Sequence, residues 1–152
     1  MQELLTILLL VGSGTTAGVL FAVALSVVPA FAALPPERYV ETHKLIGRRF
    51  DHVMPAVVLA STLIGVWQAV EAADTTARTL FGTAAVCGLA VSVVSQLGNV
   101  PINRTVKRLP AGPVPDGWDD PRRRWRAWHL LRTSCAVAAL VLNASAVVLA
   151  TA

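Results

Sequence analysis

The stretch LLRTSCAVAALVLNASAVVLA, residues 130–150, is the clearest indication of the fold of this chain. It carries a single charge, Arg132, near its start, and its length matches the roughly 20 apolar residues that a helix needs to cross a bilayer. Three further apolar runs precede it, at residues 4–34, 53–70 and 80–98. The sequence therefore predicts four membrane-spanning helices.

The composition points the same way. Of the 152 residues, 55% are hydrophobic and only 14% are charged, whereas a soluble domain is about a quarter charged. The length suits one domain. We therefore predict a single integral membrane domain over residues 1–152, an all-α antiparallel four-helix bundle with a long cytoplasmic loop between helices 3 and 4. The helices are expected at about residues 4–34, 37–72, 79–99 and 125–150.

The first apolar run is expected to be a retained helix that Pro29 bends near its far end. A cleaved signal peptide is less consistent with it, because no basic residue precedes Arg38 and the run exceeds a signal h-region. Cys87 and Cys135 both lie inside apolar runs, so we expect two small buried side chains rather than a disulfide.

The basic residues predict the orientation of the bundle. Four of the 13 Lys and Arg lie between the first two runs, one between the second and third, and eight between the third run and the start of the fourth. Twelve of them therefore share one side of a four-helix topology. The positive-inside rule places residues 35–52 and 100–128 in the cytoplasm and both termini outside. Residues 122–126 are expected to meet anionic lipid headgroups rather than nucleic acid.

The long segment between the third and fourth runs, residues 100–129, is expected to lack regular helix over most of its length. It contains Pro110, Pro113, Pro115 and Pro121, and each proline removes a backbone donor. It also carries Trp118, Trp125 and Trp128. These rings fit an interfacial aromatic belt and a substrate-facing role equally well, and the sequence leaves both open.

Polar side chains form two stripes that end at the same membrane face. At 100° per residue, one stripe on the fourth helix collects Trp125, His129, Arg132, Ala136 and Asn143. The third helix presents Ser92, Gln96, Asn99 and Asn103 in the same way, provided that it continues through Pro101. The alternative is that Pro101 breaks the helix and turns the carbonyls of Leu97 and Gly98 inward. Because both stripes end at one face, we expect them to meet across the bundle.

The two stripes allow a structural and a functional interpretation. For Ser92 and Asn143 we favour hydrogen bonds that hold helices together. For Asn99, Asn103, His129 and Arg132 we favour function, because donors, an imidazole and a fixed cation lie beside an apolar interior.

A dedicated metal site is weakly supported. His43 and His52 are nine residues apart, so on one helix they point in opposite directions and cannot bind the same ion. No H-E-x-x-H spacing, clustered carboxylates or G-x-S-x-G elbow occurs in the sequence.

One pattern connects these residues to a known family. Asn99-x-Pro101-x-Asn103, a basic loop and Trp125-x-x-Trp128-His129-x-x-Arg132 resemble the anthrone oxygenase-like family of small four-helix integral membrane proteins. The resemblance implies an oxygenase that converts an anthrone to an anthraquinone with dioxygen, without flavin, haem or added metal. A metal-dependent variant stays open.

The resemblance and the stripes together give a hypothesis for the site. His129 is the candidate base, and His43 is a second one. Asn99, Asn103 and Arg132 would stabilise the enolate oxygen. The expected substrate contacts are Trp125, Trp128, Gln96 and Trp118. The expected partners are an apolar aromatic molecule, dioxygen and membrane lipid, and homo-oligomerisation stays open. The alternative is a non-catalytic small-molecule binder or assembly partner. A transporter ranks third because the polar groups crowd one face.

Overall fold

The structure, a computed structural model, describes residues 1–110 and 112–151, with the side chains of these residues except 47–49, 51 and 151. Four helices account for nearly all of it: α1 (Gln2–Ala33), α2 (Pro36–Glu71), α3 (Thr75–Arg108) and α4 (Arg122–Thr151). The described ranges contain no strand. The predicted all-α class is confirmed.

The helices form a closed ring in the order α1, α2, α3, α4, in which each helix packs against its two neighbours. Very short connections join α1 to α2 and α2 to α3, so consecutive helices run antiparallel. All four are long and apolar enough to cross a membrane. At most 28% of each span is buried within the bundle, so most of the apolar surface faces outward, where lipid can cover it. The chain is a multi-pass integral membrane protein.

Two predicted boundaries were wrong. Helix α3 begins at Thr75, where Asp74 accepts a hydrogen bond from the amide of Ala77 (2.7 Å), and it continues through Pro101 to Arg108 rather than ending at 99. A π-helical turn at Ser95–Asn99 lies just before the proline, with Val100 between them. The widened turn accommodates the carbonyl that loses its partner because proline has no N–H.

The second wrong boundary is the start of α4, at Arg122 rather than about 125. Asp120 Oδ1 accepts a hydrogen bond from the amide of Arg122 (3.0 Å), and Pro121 lies between them. An Asp side chain that accepts from an amide at the helix start, with a Pro directly before the helix, is an ordinary helix-start signal. The predicted loop at 100–128 therefore shrinks to residues 109–121.

The interior has three layers along the bundle axis. The layer at the α1–α2 connection packs three aromatic rings against three valines: Phe31, Tyr39 and Trp125 with Val28, Val40 and Val106. The middle layer contains smaller side chains: Ala17, Leu20, Val58, Val91 and Ala136. The far layer is formed by Leu9, Ala77, Phe81 and Ala146. Small residues let helices approach closely in membranes.

Arg122 joins the start of α4 to the end of α1. Its Nη1 donates to the carbonyls of Phe31 (2.8 Å) and Leu34 (2.7 Å) at the C-terminal end of α1, where carbonyls run out of helical partners. Its Nε donates to Asp120 (2.7 Å). The hydrogen bonds from Arg122 lower the pKa of the Asp120 carboxyl despite its partial burial. The guanidinium also lies 5.3 Å from the ring centre of Tyr39, where burial raises the pKa of the phenol above its usual range.

Candidate functional site

A cavity of about 370 Å³ lies inside the ring, between the aromatic layer and the middle layer. Residues from all four helices line it. Its volume falls within the range of roughly 300–1,000 Å³ that is typical of small-molecule sites. Much of the wall is apolar, with Val19, Leu20, Val23, Val27, Phe31, Val58 and Val91 among the lining residues.

Two of the four helices around this cavity, α1 and α3, contain a π-helical turn. The π-helical turns at Val23–Val27 in α1 and Ser95–Asn99 in α3 both contribute wall residues. Each turn lies just before a proline, Pro29 or Pro101. A π-turn holds an extra residue and widens the helix, and such turns are frequent at functional sites. The two turns explain why an internal space persists here.

The cavity opens between α2 and α3. Its exposed lining residues all belong to these two helices: Ile46, Phe50, Pro55, Gln96 and Arg104. The wall residues from α1 and α4 are buried or half-buried. The opening therefore faces the flank of the bundle.

Asn103 connects three helices at one end of this cavity. Its Oδ1 accepts from Trp125 Nε1 at 2.9 Å and lies 3.1 Å from His43 Nε2. An indole nitrogen can only donate, so the amide oxygen must face it, and His43 Nε2 must also donate to that oxygen. This tautomer places the lone pair of the His43 ring on Nδ1. His43 is almost wholly buried and lies on the cavity wall.

His129 lies behind the wall, with both ring nitrogens engaged. Nε2 is 3.0 Å from the carbonyl of Leu20, which can only accept, so Nε2 carries the proton. Nδ1 then accepts from Arg132 Nη2 at 2.9 Å and Nε at 3.2 Å. The ring is fully buried and stacks on Trp125, with centroids 5.2 Å apart and planes 9° from parallel. His129 therefore supports Arg132 and Trp125 and does not line the cavity.

The four residues for which the sequence favours function meet at the start of α4: Asn99, Asn103 and His129 contact Trp125, and Arg132 contacts His129. Two of them line the cavity. Arg132 lines it and also donates to Ser95 Oγ (3.3 Å). Asn103 lines it as well. Asn99 is fully buried and donates to the carbonyl of Trp125 (3.1 Å), which fixes the start of α4 against α3.

The expected substrate contacts divide in the same way. Trp125 and Gln96 line the cavity. Trp128 packs over Gly98, where an added Cβ would lie 2.4 Å from the indole ring. Trp118 belongs to the connection and lies 6.2 Å from the ring of Tyr39. Trp118 and Trp128 are therefore outside the cavity.

The two residues that were expected to hold helices together differ in their positions. Asn143 donates to Ser13 Oγ at 3.0 Å and so joins α4 to α1, as expected. Ser92 instead lies on the cavity wall.

Sequence reasoning missed two basic wall residues, Arg104 and Lys107. Once α3 continues past Pro101, helical spacing puts them near the face that carries Gln96 and Val100. The helical spacing of these two residues was visible in the sequence. It could be used only if α3 was known to continue through Pro101, which the sequence left open. Ser95 was also missed, because it enters the wall through the π-turn.

No group of three or more His, Cys, Asp and Glu side chains that could hold a metal ion occurs in the described part of the chain. Cys87 and Cys135 are free, half-buried thiols. Whether the protein uses a cofactor stays a prediction.

Fold and cavity together define a class: a small multi-pass helical membrane protein with an internal cavity of the size of a small-molecule site. A family model described as "Anthrone oxygenase" matches residues 43–142. That is about two thirds of the chain, and it includes His43, Asn103, Trp125 and Arg132. The chain belongs to the anthrone oxygenase family, which indicates oxygenase-type activity at the family level. No curated protein and no solved structure gave a match.

Proposed function

We propose that this protein is a membrane-embedded oxygenase that oxidises a flat, apolar aromatic substrate of the anthrone type with dioxygen. The observation that carries the proposal is the cavity itself. It is apolar over much of its wall, and it presents the His43 imidazole, oriented by Asn103. Family membership supplies the reaction type.

Deprotonation of the substrate is the step that needs the protein. The central CH2 of an anthrone lies between two aromatic rings and opposite a carbonyl, so loss of a proton gives an anion with charge on that oxygen. His43 Nδ1 holds a lone pair in the tautomer fixed by Asn103 and would take this proton. We therefore assign the role of base to His43, and we assign His129 a positioning role for Arg132 and Trp125.

The remaining steps balance with dioxygen as the oxidant. The anion gives one electron to dioxygen, and the resulting carbon radical and superoxide combine to form a C–O bond. The peroxide takes back the proton held by His43. Loss of one water molecule then leaves a carbonyl in place of the CH2. Anthrone and dioxygen thus become anthraquinone and water.

Two wall groups are suited to the negative charge that develops on the substrate oxygen. Arg132 supplies a fixed cation, and its bonds to His129 and Ser95 hold it in place. The amide nitrogen of Asn103 supplies a donor, because its oxygen is occupied by His43 and Trp125. Preorganised donors of this kind act most strongly where water is excluded.

The test is turnover by the His43→Gln variant. We expect its kcat for anthrone oxidation to fall by about 10²–10⁴-fold, as is typical when a general base is lost. Glutamine can still donate to Asn103, so folding should survive. His52→Gln is the matched control, because His52 is exposed and is not on the cavity wall.

Anthraquinone absorbance, corrected for spontaneous oxidation, gives the rate in purified protein. Equal turnover by His43→Gln and the parent would remove His43 from the mechanism. An unmodified protein that binds anthrone without oxidising it would favour a non-catalytic binder. Elemental analysis of the same sample tests the metal-dependent variant.

We also propose that residues 35–52 and 100–128 face the cytoplasm, with both termini outside. The support is that twelve of the 13 basic residues lie at one end of the bundle. Alkaline phosphatase fused after the last residue should be active in a bacterial host. A fluorescent protein that matures only in the cytoplasm should give no fluorescence when it is fused at the same place. The reverse pattern would overturn the orientation.

A further inference from the structure

We propose that the bundle binds one internal water molecule at Asn143, in a second cavity that adjoins the candidate substrate site. The water would form hydrogen bonds both to Asn143 on α4 and to hydroxyl groups on α2, and so would link two helices that face each other across the ring. The inference goes beyond the proposed function and does not depend on oxygenase activity.

The second cavity lies between the middle layer and the far layer of the interior. Its volume is about 20 Å³, and roughly 10–15 Å³ is enough for one water molecule. All four helices contribute to its wall, and each described lining residue is buried or half-buried. Thr16, Val58 and Val91 line both cavities. The space is therefore internal and admits only a ligand the size of water or dioxygen.

Asn143 supplies an unpaired polar atom on this wall. The side chain is 3% exposed, and its Nδ2 donates to Ser13 Oγ at 3.0 Å. Its Oδ1 has no hydrogen-bond partner among the described residues. The opposite orientation of the amide would leave the nitrogen unpaired instead. In either orientation one polar atom needs a partner, and internal water commonly satisfies such buried groups.

Three hydroxyl groups complete the polar part of the wall: Thr16, Ser61 and Thr62. Each donates to the carbonyl four positions earlier in its own helix, at 2.9, 2.7 and 2.8 Å respectively. A hydroxyl that has used its only proton can still accept a hydrogen bond. The wall therefore offers acceptors to a ligand that can donate, and water carries two O–H donors.

The two hydroxyls of α2 are held in fixed positions. Ser61 packs against Gly12 of α1, and Thr62 packs against Gly88 of α3, so closely that neither glycine has room for a Cβ. Both hydroxyls are thus wedged between α2 and a neighbouring helix. A site built from fixed acceptors loses little entropy when it binds a water molecule.

Dioxygen is the rival occupant, because it fits the same space and is the oxidant of the proposed reaction. It has no proton to donate, so it would leave Asn143 and the hydroxyl oxygens without a partner. A bare metal cation is disfavoured as well, since no Asp or Glu is among the described lining residues and an uncompensated charge is costly to bury. The chemistry of the wall therefore selects water.

Nuclear magnetic resonance of the isotope-labelled protein in detergent micelles tests the proposal. We expect a nuclear Overhauser cross-peak between water and the side-chain amide protons of Asn143, which a rotating-frame experiment separates from proton exchange. Asn99 is the matched control, because its side chain is also fully buried with an unpaired oxygen but lines neither cavity. Absence of the cross-peak at Asn143 would overturn the proposal. Equal cross-peaks at both residues would indicate water throughout the interior and would also overturn it.

Variants then locate the partners of the water. The double variant Ser61→Ala, Thr62→Val removes both acceptors of α2 and should lose the cross-peak at Asn143. It retains Ser13, so the loss cannot come from the hydroxyl that contacts the amide. Thr133→Val should keep the cross-peak, because Thr133 also donates to the carbonyl four positions earlier (2.7 Å) but lines neither cavity. A cross-peak that survives in the double variant would refute the link to α2.

Dissolved dioxygen provides the opposite test, because it is paramagnetic and broadens nearby resonances. With water in the second cavity, a higher pressure of dioxygen should broaden the side-chain resonances of Asn143 no more than those of Asn99. Selective broadening at Asn143 would show that dioxygen occupies the cavity and would overturn the proposal. None of these measurements uses turnover, so failure of the oxygenase assignment would leave the water site standing.

Discussion

Asn103 is the residue on which the site depends most directly. One side-chain oxygen receives hydrogen bonds from His43 on α2 and Trp125 on α4, so a single amide sets the position of three helices around the cavity. The sequence predicted that Asn103 would approach the start of the fourth helix, because both lie on polar stripes that end at one face.

Replacing Asn103 with leucine should destabilise the protein. The N–H groups of His43 and Trp125 would keep their burial and lose their acceptor, at about 1–3 kcal/mol for each unsatisfied group. We expect a lower temperature of unfolding in detergent. Gln96→Leu, at the exposed edge of the cavity, should change the free energy of unfolding by less than about 0.5 kcal/mol. Equal stability of the two variants would contradict the role given to Asn103.

The sequence could not tell which of the two histidines, His43 or His129, lies on the cavity wall. Both histidines were expected on helices, near the membrane face where the two polar stripes end. His129 lies behind the wall because its Nε2 bonds to the carbonyl of Leu20, which is 109 positions away in the chain. A contact between residues so far apart in the chain depends on how α1 packs against α4. The periodicity of a single helix cannot predict it.

At the scale of the elements, proline shows where sequence reasoning was incomplete. Pro101 offered two readings, a broken helix or a continuous one, and the π-turn at Ser95–Asn99 makes the helix continuous. The start of α4 was a different case, because Asp120 and Pro121 are ordinary helix-start signals that the prediction of a start at about 125 overlooked. The first boundary needed the structure, whereas the signal for the second was already in the sequence.

The π-turn of α3 packs tightly against α4 at Gly98. A Cβ added there would lie 2.4 Å from two carbon atoms of Trp128. Because ring and helix would both have to move, Gly98→Ala should lower the free energy of unfolding by about 1–3 kcal/mol. Chemical or thermal unfolding in detergent measures this change.

Gly82 in the same helix provides the control. An added Cβ would meet no heavy atom within 4 Å, so Gly82→Ala should be neutral or stabilising by up to about 1 kcal/mol. If Gly98→Ala behaved like Gly82→Ala, the close packing of Trp128 against α3 would be refuted. Added Trp128→Ala should relieve most of the Gly98→Ala defect.

At the scale of the whole molecule, the pair formed by Asp120 and Arg122 should make stability depend on pH. The pKa of Asp120 is lowered in the folded state. The stabilisation is therefore fully present above about pH 4, where this carboxyl ionises in the unfolded chain, and it is lost as the pH falls through the lower folded-state value.

The comparison with Asp120→Asn isolates this contribution. At neutral pH the parent should unfold at a higher temperature than the variant, and the difference should shrink toward zero as the solution becomes acidic. A difference that is constant with pH would show that the charge of Asp120 contributes nothing to stability.

Hydropathy was sufficient to predict four membrane-spanning helices, because each helix must be apolar over enough residues to cross the bilayer. The cavity was not predictable in the same way. It is the space left where two π-turns widen a ring of four helices, so its volume and its lateral opening depend on all of them together.

For the proposed oxygenase, the gap between α2 and α3 has a consequence for kinetics. A substrate that reaches the cavity through the flank is drawn from the lipid phase, so its concentration per area of membrane governs the rate. Diluting it with inert detergent or lipid would then slow turnover even when its amount per volume of water is unchanged. An apparent KM would have meaning only as a mole fraction within the micelle or bilayer.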